Sequence, residues 1–162
     1  MEAPVLLTTA TKVYWHSEEF IYKSVVNFLK ENGYKVAKDN KTENDKGRKT
    51  IVASKFFKKE IIEVKGFPNY YHPLTHHFVL AKSTHAKNWF TDALFNSFVN
   101  FSANDNAEVA MALPNVNRYQ AIISKLNEYF SINDLYFRIY LVNEDGSVEV
   151  SNLNYKYAKA TT

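Results

Sequence analysis

Residues 49–66 read KTIVASKFFKKEIIEVKG. Two short apolar runs flank a basic turn, Lys55-Phe56-Phe57-Lys58-Lys59, and predict two strands joined at that turn. Successive side chains on a strand point to opposite faces, so Glu63 and Lys65 share one side with Ile61, while Ile62 and Val64 face the other way into a core. An acid and a lysine side by side at the end of an apolar strand are costly to desolvate, and such a pair marks a candidate site. Gly66 follows directly, where the backbone can turn freely.

An acid-x-Lys tripeptide is expected by chance in a chain with 17 acidic and 20 basic residues, and Asp39-Asn40-Lys41 is a second match. Context separates the two, because Asp39 lies in a polar stretch and only Glu63-Val64-Lys65 closes an apolar strand.

The 162 residues are 46% hydrophobic and 15% aromatic, which predicts one globular domain over 1–150 with a real core and a loose tail over 151–162. With no cysteine, a disulfide scaffold and a thiolate metal site are excluded, and a reducing cytoplasm fits. No apolar run reaches the length of a membrane span, and Met1–Ala10 lacks the basic region of a signal peptide. The net charge of +3 is concentrated: residues 38–65 hold nine Lys/Arg against five Asp/Glu, an excess larger than that of the whole chain. A basic rim around an acidic strand end suits a phosphate backbone, and equally a hairpin with a lysine-rich edge that blocks strand pairing.

Ile21, Ser24, Val25, Phe28 and Leu29 have the spacing of a buried helix face over Ser17–Glu31, with His16 or Ser17 as cap and Asn32-Gly33 as stop. A short strand over 34–37 and an exposed polar loop over 38–48 precede the central strands. The stretch FPNYYHPLTHHF, with two prolines and a Tyr/His cluster, predicts an irregular loop. The helix His85–Phe101, capped by Thr84, is apolar around so much of its circumference that it should be largely buried. A strand (107–113), a helix (116–130), a strand (135–142) and a short final strand (147–150) complete the order. Three strands in succession predict an antiparallel meander, and strands reached through helices should be parallel neighbours. The fold class is therefore α/β, a mixed central sheet flanked by helices.

That order, with IVAS…EIIEVKG, resembles the restriction-endonuclease-like superfamily of PD-(D/E)XK nucleases. The stretches THAKNWFTDALFNSFVNF, AEVAMALPNVNRYQAII and LYFRIYLVNEDGSVEV look like those of a group of its small bacterial members, so the resemblance spans roughly residues 17–150. It implies metal-dependent hydrolysis of DNA with Mg²⁺ or Mn²⁺. Glu63 and Lys65 match the Glu-x-Lys pair, Glu18 or Glu19 the first-helix acid, and Lys87 the polar residue of the later helix. The motif Asp is missing, because Thr50 precedes Ile51-Val52-Ala53-Ser54 where the pattern has an acid. Thr50 removes one negative charge from a site that would hold Mg²⁺, which wants anionic oxygens. Asp45, or else Glu43, would restore it from the polar loop; alternatively metal binding is lost and only the scaffold remains, for nucleic-acid binding or complex assembly.

On the hydrolytic reading, Glu63, a first-helix acid and Asp45 hold the ion, Lys65 orients water or stabilises charge, and Lys87 assists. Arg48, Lys49, Lys55, Lys58, Lys59 and His72 are the expected nucleic-acid contacts. His72, His76, His77 and His85 match no zinc spacing. No small organic cofactor is implied, and a homodimer is compatible because two strands need two cuts. Trp15, Trp89 and the phenylalanines after Trp89 read as core.

Overall fold

The computed structural model describes residues 14–37, 49–67, 69–72, 77–80, 83–103, 107–133 and 135–153. The chain runs α1 (Glu18–Glu31), β1 (Lys35–Val36), β2 (Lys49–Lys55), β3 (Lys58–Val64), β4 (Asn69–His72), β5 (His77–Leu80), α2 (Ser83–Ala103), β6 (Ala107–Pro114), α3 (Asn117–Ile132), β7 (Phe137–Val142) and β8 (Val148–Leu153). Six strands form one mixed sheet in the order β1-β2-β3-β6-β7-β8. The first three are an antiparallel meander, β3, β6 and β7 run parallel, and β8 returns antiparallel.

Each face of the sheet has its own core. On one, Ile21, Val25 and Leu29 of α1, four residues apart, pack on Ile51, Ala53, Ile62, Val64, Ala110, Ala112, Tyr140 and Val142. On the other, Ala86, Phe90 and Ala93 of α2 and Tyr119, Ile123 and Phe130 of α3 cover Met111, Leu113, Phe137, Ile139 and Leu141. Ser17 caps α1 by accepting from Phe20 N (3.2 Å). Gly33, at φ 81°, ends it with Gly33 N donating to Lys30 O and Tyr34 N to Leu29 O, the paired bonds of a glycine-terminated helix.

Four expectations are corrected. The segment read as an irregular loop contains the two-stranded antiparallel sheet β4–β5, with His72 opposite His77. Tyr70-Tyr71 and Phe78-Val79 are strong strand formers. α2 is not buried all round: Phe95 is 65% exposed and Phe98 and Val99 nearly half exposed, while Asn96 and Ser97 are inside. A helix lying on one sheet face buries one side, and Ser97 takes a place there by donating to Ala93 O and to Ala110 O on β6. β8 continues through Leu153, three residues into the segment read as a tail, because Leu153 pairs with Phe137 and is buried. The hairpin turn is only Phe56-Phe57, since Lys55 and Lys58 are already a strand pair.

Candidate functional site

The carboxyl ends of the parallel strands are where open α/β sheets ordinarily take ligands, and Glu63 and Lys65 lie there. Thr50 stands directly across from Glu63 on β2, and Met111 across from it on β6. Met111 belongs to the core under α2 and α3, so Glu63 faces that side, as its alternation with Ile62 and Val64 requires. Glu63 is only 1% exposed, and the Thr50 hydroxyl donates to its Oε2 at 3.2 Å.

Lys65 extends the parallel ladder by donating its N–H to Ala112 O (3.0 Å). Its side chain turns to α2, where Nζ lies 3.0 Å from Asp92 Oδ2 and 5.4 Å from the centroid of the Trp89 ring. Trp89 and Asp92, three residues apart, share one side of that helix. Asp92 is the site residue that the sequence did not reveal. Its signal was the i, i+3 spacing to Trp89, visible only once Lys65 is known to face α2.

Gly66 matters for close approach rather than for turning, and its φ is not positive. A Cβ there would lie 2.8 Å from His16 O and 2.9 Å from Glu18 N, so the start of α1 could not come so near any other residue. Gly66 O accepts from Tyr119 Oη (3.0 Å), and Phe67 N donates to His16 O (2.9 Å). Burial, reinforced by the charge of Glu18, pushes the Tyr119 phenol up, so it stays a neutral donor. Burial likewise lowers the basicity of His16. Tyr119→Phe removes the donor to a buried carbonyl and should cost about 1–3 kcal/mol in urea unfolding; an unchanged midpoint would mean that this bond holds nothing.

The two first-helix acids part company. Glu18, at the entry to α1, lies against Gly66 and near Tyr119. Glu19 pairs with Lys49 and with Lys23 (3.1 Å), and Lys49 chiefly holds its carboxyl below the ordinary value. Lys49 is therefore engaged with α1, its ammonium 5.8 Å from the Tyr22 ring. Lys87 is exposed and sits two residues before Trp89, on the opposite side of α2 from Lys65.

Lys55, Lys58 and Lys59 do not rim the acidic strand end. A tight hairpin puts them at the other end of β3, about 20 Å away at the rise of a strand. Lys58 there pairs with Glu108 at 3.2 Å, and Lys55 donates to Asn32 O at 2.8 Å. Asp45, Arg48 and the side chain of His72 lie outside the described residues.

No family model, curated protein or solved structure matches this chain. What the end of β3 can do therefore rests on its own groups. Mg²⁺ takes about six oxygens, preferably anionic. The strand end offers the Glu63 carboxylate, a neutral hydroxyl opposite it, and an Asp92 already bound to Lys65. Among the described residues no three His, Cys, Asp or Glu side chains gather to hold a metal. Even with Glu18 at the adjoining helix start, the described residues supply fewer anionic oxygens than Mg²⁺ or Mn²⁺ ordinarily takes. Also among the described residues, no helix is long and apolar enough to cross a membrane.

Proposed function

We propose that the protein is a nucleic-acid-binding module on a nuclease-like scaffold, which holds its target without cutting it. The observation that carries this reading is Thr50, which stands directly across from Glu63 and donates to it. At the position where a second carboxylate would complete a metal site, the chain has a neutral hydroxyl. The meander followed by helix-linked parallel strands supports the scaffold part of the reading. The lysines of β2 and β3 support an anionic partner.

One observation favours a second reading, metal-dependent DNA hydrolysis: Glu63 and Lys65 end the strand together, with Glu18 at the adjoining helix start. It requires a further carboxylate from outside the described residues, Asp45 or Glu43.

Incubating supercoiled plasmid and a single-stranded circle with Mg²⁺, with Mn²⁺ and with EDTA, beside Glu63→Ala and Lys65→Ala, separates the two. The module retards both substrates and leaves them intact under every condition. Cutting that needs metal and disappears in both variants would overturn the module reading and establish the second one.

A further inference from the structure

The least explained feature of the surface is the turn of the β2–β3 hairpin. Phe56 is 90% exposed and Phe57 fully so. Phe56 also has φ 55°, a left-handed conformation that such turns ordinarily give to Gly, Asn or Asp. A bulky ring is strained there, and its described neighbour is the Lys55 ammonium, 5.8 Å from its centroid, rather than any core residue. The fold thus spends conformational strain on a ring that it does not bury.

Charge surrounds the two rings. Lys55, Lys58 and Lys59 flank them in the chain, and Lys35, on β1, is exposed beside them across β2. The bond from Lys55 to Asn32 O brings the end of α1, with exposed Lys30, to the same place. Glu31 and the Glu108 that pairs with Lys58 oppose them.

Resting on the proposed function, we infer that this turn is the nucleic-acid contact: unpaired bases stack on Phe56 and Phe57, and the flanking lysines meet the phosphates. Flat exposed rings beside cations are what a single strand uses, since every base offers a π face and the backbone supplies the charge. A flat anionic bilayer fits less well. Because β3, β6 and β7 run parallel, α2 and α3 finish at the same end of the sheet as the turn. Neither has a basic residue in its last turn, so their carbonyl ends would face the lipid charge uncompensated. A strand of nucleic acid can touch the projecting turn alone.

The test is fluorescence anisotropy with a labelled oligothymidine of about 20 nucleotides, a duplex of the same length, and vesicles containing phosphatidylserine. Phe56→Gly suits the backbone already present, so it should melt no lower than the wild type while binding the single strand about tenfold more weakly. Phe57→Ser, at a fully exposed position, should do the same. Changing Lys55, Lys58 and Lys59 together to Ala should reduce the slope of log affinity against log salt by about 2. Wild-type binding that both ring variants retain would overturn the inference while leaving the module reading standing. Binding to vesicles but not to oligonucleotide would overturn it in favour of a lipid surface. A dimer that the ring variants dissolve, with no oligonucleotide bound, would overturn it in favour of a second copy. No binding of either oligonucleotide by the wild type would sink both the inference and the module reading.

Discussion

Arg138→Met should lower the unfolding free energy by about 3–5 kcal/mol at neutral pH, because it strands a buried carboxylate. Glu60 is 4% exposed, and its two oxygens are taken by Arg138 Nη1 at 3.0 Å and Tyr140 Oη at 2.8 Å. The guanidinium is fixed in turn by Tyr136 Oη, which accepts from Nη2 at 2.9 Å, and by Asn152 Oδ1. Burial raises the Glu60 carboxyl above its ordinary 4.5, against the pull of Arg138 and the Tyr140 hydroxyl. For an acid raised in this way the folded protein binds more protons than the unfolded chain. Glu60 therefore costs nothing while protonated, below the ordinary value, and its cost grows as pH rises through the folded value. Without Arg138 the folded value climbs further and the penalty at neutrality grows. Urea unfolding at neutral and mildly acidic pH reads this directly. The variant should recover stability on acidification, and adding Glu60→Gln should restore most of the loss at neutral pH. An equal deficit at both pH values, unrelieved by Glu60→Gln, would locate Arg138's contribution in its packing instead.

Gly66→Ala should cost about 3 kcal/mol, near the top of the usual range for overpacking. The added carbon would meet His16 O and Glu18 N, and both are main-chain atoms that no rotamer change can move aside. Making room means pulling the start of α1 off the end of β3 and losing the bond from Phe67 N to His16 O. For a chain of this size Tm should fall by roughly 6–12 °C. Gly146→Ala is the useful comparison: φ there is 85°, but a Cβ would meet only side-chain atoms at 3.6 Å and beyond. Strain alone should make it cost about 1 kcal/mol. If the two variants melted together, the close approach at Gly66 would not be a constraint.

Local pattern carried much of the fold. The spacing of Ile21, Val25 and Leu29, the Asn32-Gly33 stop and the alternation in EIIEVK each depend on residues a few positions apart, and the meander and helix-linked strands followed from them. What escaped depends on distance along the chain. Glu60 and Arg138 are 78 residues apart, so neither looks unusual in its own window. Gly66 read as a place to turn because nothing near it announces α1, 48 residues upstream. The lysines from Lys49 to Lys65 form one cluster in the sequence, yet the hairpin sends them to opposite ends of a sheet. The Phe/Val run of α2 could not say which side would be covered. At the candidate site the pairing of Thr50 with Glu63 follows from the two strands, but Asp92 required knowing which helix Lys65 faces.

Three consecutive residues leave β3, each fastened to a different element: Lys65 N to β6, Gly66 O to α3 and Phe67 N to the start of α1. Binding loops are ordinarily drawn from the least stable parts of a protein, which open many times for each global unfolding. This strand end cannot open by itself without releasing all three neighbours. The amides of Lys65 and Phe67 should therefore exchange with solvent only as the whole protein unfolds, which makes this end of the sheet a rigid anchor and not a gate.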